Sequence, residues 1–315
     1  MKFRTELSIP KESFEFNYSS KLFFIGSCFS ITMYDELRKR GFKYLSGNPF
    51  GVLFNPISIA NALDNVIHLE KIKKESFFEN QGVFRHWDYG SQIFEKDLET
   101  TVNQLNKQIE VQHDFLIKTD AIFITLGTAW VYELVDNKKV VANCHKMKAS
   151  LFKKRLLNIT EIYEGLLMLI NNLQKINPQI KIIFTISPVR HIKDGIIENQ
   201  RSKSFLFAAI HEIIESRENV LYFPSYELMM DDLRDYRYYK KDMLHPNEQA
   251  IEYIWEKFKN RYFSESVHEE MKQVEKIKKA LNHRFIGVDS VENQLFNKKI
   301  KNQIEKLKRS IDFEL

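Results

Sequence analysis

Two cysteines in 315 residues are too few for a disulfide scaffold, so Cys28 and Cys144 are expected as reduced thiols. There is no CxxC pair, and Cys144-His145 is at most half a metal site, so zinc is not expected. No apolar run approaches the roughly 18–20 residues a membrane span requires. The opening MKFRTELSIPKESFEF has no apolar core of the kind a secretory leader carries. A cytoplasmic protein is the expectation. Clustered charge is also missing: 47 Lys and Arg against 42 Asp and Glu leave a net charge of +5, with the signs interspersed. Nucleic-acid binding usually needs a basic face or a recognisable motif, and neither is present. Repeats and low-complexity tracts are absent as well.

What is present is the composition of a globular enzyme-sized chain, 43% hydrophobic and 28% charged. It fits one sizeable domain, or one domain with an appendage. Residues 1–20 read as a polar, partly extended arm. Three short apolar runs read as buried strands: Leu22–Ile25, Ala121–Leu126 and Lys181–Ile186. Phe42–Tyr44 and Val220–Phe223 are candidates for two more. Helical patterns cover 31–40, 58–69, 95–116, 156–174, 202–216 and 247–261. Gly41 sits where a helix C′ glycine belongs. Residues 76–94, rich in aromatics and turn formers, read as an irregular excursion. WVYELVDNKKVVANCHK reads as a hairpin about DNKK. Strands alternating with helices predict an α/β fold with a parallel, doubly wound sheet. In such sheets ligands bind beyond the carboxyl ends of the strands. Those ends here carry GSC, SGN, GTAW, SPVRH and PSY. The domain is expected over 1–262. Residues 263–315 read as an appendage of charged helices joined by NHRFIGVD, either packing by one apolar stripe or binding a partner.

Strand, tight turn and helix at KLFFIGSCFS lift a small nucleophile to the sheet's carboxyl edge. Gly26 permits the turn, and the helix start favours developing negative charge. Ser27 is the expected nucleophile. Cys28 is the alternative, since a thiolate is intrinsically the better one, but neighbours at such a turn face different ways. Asp242-Met243-Leu244-His245-Pro246 supplies the complementary chemistry. Pro246 keeps His245 out of the α region. Asp242 can fold back to hold Nδ1–H, leaving Nε2 free to take a proton. The bland alternatives are ordinary turn chemistry at Gly-Ser, and a capping Asp beside a surface His.

These residues, with NPFGVLFNP (48–56), LGTAWVY (126–132), VVANCHK (140–146), SPVRHIKDG (187–195), YELMMDDLRDYRYY (226–239) and DMLHP (242–246), closely resemble the GSCFA-domain family. That family is related to the SGNH/GDSL hydrolases. Ser30 stands where the family name has Ala. The relatives' Asp-x-x-His matches well and their Gly-Asp-Ser only loosely. The resemblance implies a three-layer α/β/α, flavodoxin-like fold and a Ser27–His245–Asp242 triad. It implies esterase or acyltransferase chemistry on an O-acyl ester, with O-acetylated carbohydrate as the expected substrate class and no cofactor. Oxyanion donors are expected from the Ser27 backbone, Asn48 and the Gly51 backbone. The relatives' Gly-x-Asn-Asp segment reads Gly127-Thr128-Ala129-Trp130 here. Its Asn is missing, and Thr128 is the expected substitute. Arg190 and His191 are candidates for a substrate anion, or are structural ion-pair members. His86, Trp87 and Trp130 could stack on a sugar or pack in the core. The rival readings are an inactive ligand-binding module on the same fold, and an interaction protein acting through its C-terminal helices.

Overall fold

Strand pairing is built outward from the first apolar run, whose five residues are all buried. In chain order the elements are β1 (Leu22–Gly26), α1 (Cys28–Lys39), β2 (Leu45–Gly47), α2 (Pro56–Ile67), β3 (Phe77–Asn80), β4 (Val83–His86), α3 (Leu98–Leu116), β5 (Ala121–Leu126), β6 (Trp130–Leu134), β7 (Val140–Val141), β8 (Phe152–Leu156), α4 (Ile159–Ile176), β9 (Lys181–Ile186), α5 (Ile196–Ser216), β10 (Val220–Tyr222), the one-turn α6 (Ser225–Glu227), α7 (Glu248–Tyr262), α8 (Glu265–Leu281) and α9 (Val291–Leu307). The computed structural model describes residues 4–282 and 291–315. All but the first residue of the NHRFIGVD link lies outside them.

The main sheet runs β10-β9-β5-β1-β2 and is parallel throughout. Counted within the sheet, the order is 2-1-3-4-5, the flavodoxin-like winding. The winding reverses between β1 and β5, so the ligand crevice belongs beyond the ends of those two strands. Gly26 pairs with Thr125 and Leu126 with Ile186, which brings the three strand ends level.

The runs are apolar without alternation because both faces are covered. Phe23, Ile25, Ile122, Ile124, Ile182 and Phe184 pack against α2, α3, α4 and α5. Leu22, Phe24, Phe123 and Ile183 pack against α1, α7, α8 and α9. This is a three-layer α/β/α architecture. The C-terminal helices join the second face: Val267, Met271, Val274 and Ile277 are buried in the same cluster as Leu37 and Trp255. No helix among the described residues is long and apolar enough to cross a membrane.

Three details differ from the sequence reading. The second strand is Leu45–Gly47 rather than Phe42–Tyr44, because Phe42 turns into the helix-side core and stacks on Tyr18 at 4.3 Å. The excursion at 76–94 contains a hairpin, β3–β4, turned at Gln81-Gly82 with φ of 57° and 74°. Two positive-φ residues suit the twist of a two-residue hairpin loop. The DNKK hairpin gains a third strand, β8, paired with β6. Its sequence FKKRL is too basic to read as a strand in isolation.

Candidate active site

Gly26 ends β1 with φ 132°, and a Cβ there would lie 2.2 Å from the Thr125 carbonyl oxygen. Only glycine lets β1 approach β5 this closely and then turn. Ser27 follows as the N-cap of α1, in extended conformation. Its N–H donates to Thr125 O at 3.0 Å. Its side chain is 1% exposed, and Oγ has no hydrogen-bond partner. Cys28, the first helical residue, is half-buried.

The second half of the site comes from the loop between α6 and α7. Met243 adopts φ 58°, which folds the loop back on itself. Lys240 N–H donates to His245 O at 2.8 Å, and Met243 N–H to Lys240 O at 2.9 Å. Asp242 Oδ1 accepts the backbone N–H groups of Leu244 and His245, at 2.9 and 3.0 Å. Oδ2 faces His245 Nδ1 at 2.7 Å. The two backbone donors, with the imidazole, hold the Asp242 carboxyl down at about 2. In the tautomer whose Nδ1–H donates to the ionised Asp242, Nε2 carries the free lone pair and can accept a proton. Nε2 lies 3.8 Å from Cys28 Sγ, across 217 residues of sequence. The imidazole therefore reaches the Gly26–Cys28 turn and meets the thiol.

The expected oxyanion donors are engaged elsewhere. Besides the Ser27 N–H, Asn48 Nδ2 donates to Gly26 O at 3.1 Å, while Asn48 Oδ1 is buried without a partner. Gly51 N–H donates to Asn48 O at 2.9 Å. Thr128 N–H donates to Phe54 O, and Thr128 Oγ1 sits 3.0 Å from Ser202 Oγ while accepting the Trp130 N–H. These contacts shape the turn. By contrast, the N–H groups of Cys28 and Phe29 open α1 and have no intrahelical acceptor. Both favour negative charge on the Cys28 sulfur.

Beside Thr128 opens a cavity of about 500 Å³, walled by the aromatics Trp130, Tyr132 and Phe152 and by Lys146, Lys193 and His191. Lys154 lies 4.9 Å from the Trp130 ring centroid and is paired with Asp194. Trp130 and His191 thus share one concave wall. Arg190 does not line it: its guanidinium contacts Met230 Sδ at 3.1 Å. His86 is a core histidine, 3% exposed, packed on the Phe77 and Tyr89 rings. Burial pushes its imidazole down to about 4, so it is neutral. Trp87 stacks on Phe78 at 3.7 Å. Among the described residues no group of three His, Cys, Asp or Glu is placed to hold a metal.

Lys203 is the site residue that the sequence reading passed over. It is fully buried in α5, and Nζ donates to Ser187 O at 2.8 Å, at the end of β9. Burial pulls its ammonium down to about 7, while the Cys28 sulfur pulls the other way. The signal was readable: Lys203, Leu206 and Ile210 fall at i, i+3 and i+7, which puts a cation on the apolar stripe of a helix.

Fold and site together define a flavodoxin-like α/β/α protein that carries an Asp–His pair over a strand-to-helix turn at its switch point. The chain matches the GSCFA family over residues 21–258 and belongs to that family. Among solved structures it is similar to a carbohydrate esterase family 3 protein from Talaromyces cellulolyticus, at 8% identity over 53% of this chain and 67% of that one, with a TM-score of 0.27. It is also similar to an acetyl esterase serine-to-alanine mutant with an acetate ion (8% identity, 82% and 99% covered, TM-score 0.36). A third is an acetyl xylan esterase from the rumen bacterium Butyrivibrio proteoclasticus (14% identity, 84% and 64% covered, TM-score 0.38). No curated protein matches the chain.

Proposed function

We propose that this protein is an SGNH-type esterase or acyltransferase that opens an O-acyl ester of a small molecule or glycan, with O-acetylated carbohydrate the favoured class. The observation that carries the reading is the His245–Asp242 pair, at 2.7 Å, delivered to the Gly26–Cys28 turn. An imidazole oriented by a carboxylate and set against the turn that carries Ser27 and Cys28 is an activated-nucleophile arrangement. Ser27, His245 and Asp242 are the triad that the family resemblance implies. His245 takes the nucleophile's proton as the acyl carbonyl is attacked, then returns it to the leaving alkoxide. Asp242 holds the tautomer and stabilises the imidazolium. The cavity beside Thr128 would hold the alcohol portion, with Trp130 as a ring platform and Lys146, Lys193 and His191 as hydrogen-bond donors.

The test is acyl release by the purified full-length protein from p-nitrophenyl acetate and from O-acetylated xylo-oligosaccharide. His245→Ala should lower kcat/KM by on the order of 10²–10⁴. Folded wild-type protein that binds the oligosaccharide without releasing acetate, and binds equally well as His245→Ala, would establish the inactive binding module instead.

A further inference from the structure

Resting on the acyl-transfer reading above, we propose that the attacking atom is the Cys28 sulfur, so that Cys28, His245 and Asp242 form a thiol-based acyl-transfer site backed by Lys203. Three independent placements lead there. The first is access. Ser27 is 1% exposed and its hydroxyl is enclosed, whereas Cys28 is only partly buried. An attacking atom must reach a carbonyl carbon brought in from solvent.

The second is direction. In the ring form whose Nδ1–H is held by Asp242, Nε2 is the acceptor, and the 3.8 Å contact sets the Cys28 sulfur against it, where an S–H can donate. Ser27 Oγ makes no such bond.

The third is the field around the sulfur. The N–H groups of Cys28 and Phe29 and the buried ammonium of Lys203 all favour the thiolate. Burial acts against it and holds the thiol up. The resting sulfur is therefore a thiol, and its ionisation accompanies attack. That is how a serine site works, with sulfur in place of oxygen.

The step balances without a further reagent. His245 Nε2 takes the S–H proton as sulfur bonds to the ester carbonyl carbon, and the C=O pair moves onto oxygen. The tetrahedral adduct expels the alkoxide, which takes the proton from His245, leaving a Cys28 thioester. Water or an acceptor hydroxyl, deprotonated by His245, then attacks that thioester and regenerates the thiol.

The experiment is acid-quenched intact-mass and peptide mass spectrometry of the full chain mixed with p-nitrophenyl acetate. A +42 Da acetyl adduct on the Cys28 peptide, removed by neutral hydroxylamine and still formed by Ser27→Ala, is the expected result. His245→Ala should form it at least 10-fold more slowly. Cys28→Ala, and the near-isosteric Cys28→Ser if the alanine variant misfolds, should form no thioester. An adduct on Ser27, lost in Ser27→Ala and kept in Cys28→Ala, overturns this proposal and leaves the esterase reading standing. No adduct and no nitrophenol release from folded wild-type protein overturns both.

Discussion

Replacing Lys203 by methionine should make the protein more stable and less active. Burial lowers the ammonium from 10.5 to about 7. At about 1.36 kcal/mol per pH unit, carrying that proton in the folded state costs roughly 4–5 kcal/mol. The cost is complete below about pH 7, where folded and unfolded chains are both protonated. From about pH 7 to 10.5 the unfolded chain holds more protons than the folded one, so stability rises with pH and the cost disappears. Methionine fills a similar volume and removes the charge. It leaves Ser187 O without a donor, a loss of about 1–3 kcal/mol. The net gain is then about 1–4 kcal/mol near pH 6, shrinking and changing sign by about pH 10. Urea unfolding of both proteins at about pH 6, 8 and 10 measures the difference directly. A variant that is less stable at pH 6, or a difference independent of pH, would refute the reasoning. A lysine kept in the core at such a cost needs a use, and the nearby Cys28 sulfur supplies one.

Gly26→Ala should cost at least about 3 kcal/mol in urea unfolding, because the new Cβ would collide with the Thr125 carbonyl of the neighbouring strand. Asp242→Asn should lower kcat/KM by on the order of 10²–10⁴ with little change in KM, since the amide no longer holds the imidazole in its accepting tautomer. The depressed Asp242 carboxyl means it stays ionised and paired below the ordinary carboxylate range and loses its charge only as pH falls toward about 2. An NMR titration of its carboxyl carbon should therefore have its midpoint near pH 2, and a midpoint near 4 would remove the pair.

Much of this architecture is legible in the residues, and the exceptions have physical causes. AIFITL and KIIFTI come out as β5 and β9 residue for residue, because strands buried on both faces leave an unbroken apolar run. The Asp242–His245 pair is also legible, since a three-residue spacing before proline confines both side chains to one loop. What one short motif cannot show is which of two adjacent side chains is enclosed and which is partly exposed. Strand and helix periodicities compete at the junction, and the answer depends on α1 beginning at Cys28 rather than at Ile31. That shift of a turn makes Ser27 the cap and Cys28 the first helical residue. What the residues also do not show is how the 48–51 turn uses its own donors: the Asn48 N–H donates to Phe24 O, its side-chain amide to Gly26 O, and the Gly51 N–H to Asn48 O.

Removing residues 263–315 tests whether the charged C-terminal helices are an arm or part of the core. Helix α8 presents Glu and Lys to solvent, but Val267, Met271, Val274 and Ile277 are buried against α1 and α7. Phe263, the first residue removed, is fully buried and packs on Phe258 and Phe42. Farther on, Ile300, Leu307 and Phe313 are buried in the same cluster. The chain end then clasps α1: Glu314 N–H donates to Gly41 O at 2.8 Å, and Glu314 pairs with Arg38 at 3.2 Å. At about 1.5–3 kcal/mol per large apolar side chain, as an upper bound, the lost burial rivals the whole stability of a typical domain. The truncated chain would also expose Leu37, Phe42, Trp255 and Tyr262, all at most 1% exposed in the full chain. It should aggregate, or bind a hydrophobic dye such as ANS and lose its cooperative unfolding transition. Because those helices back α1, whose first residue is Cys28, the thiol site should be lost with them. A truncated protein that stays monomeric and unfolds at the full-length midpoint would show that α8 and α9 are an independent arm, free to serve a partner.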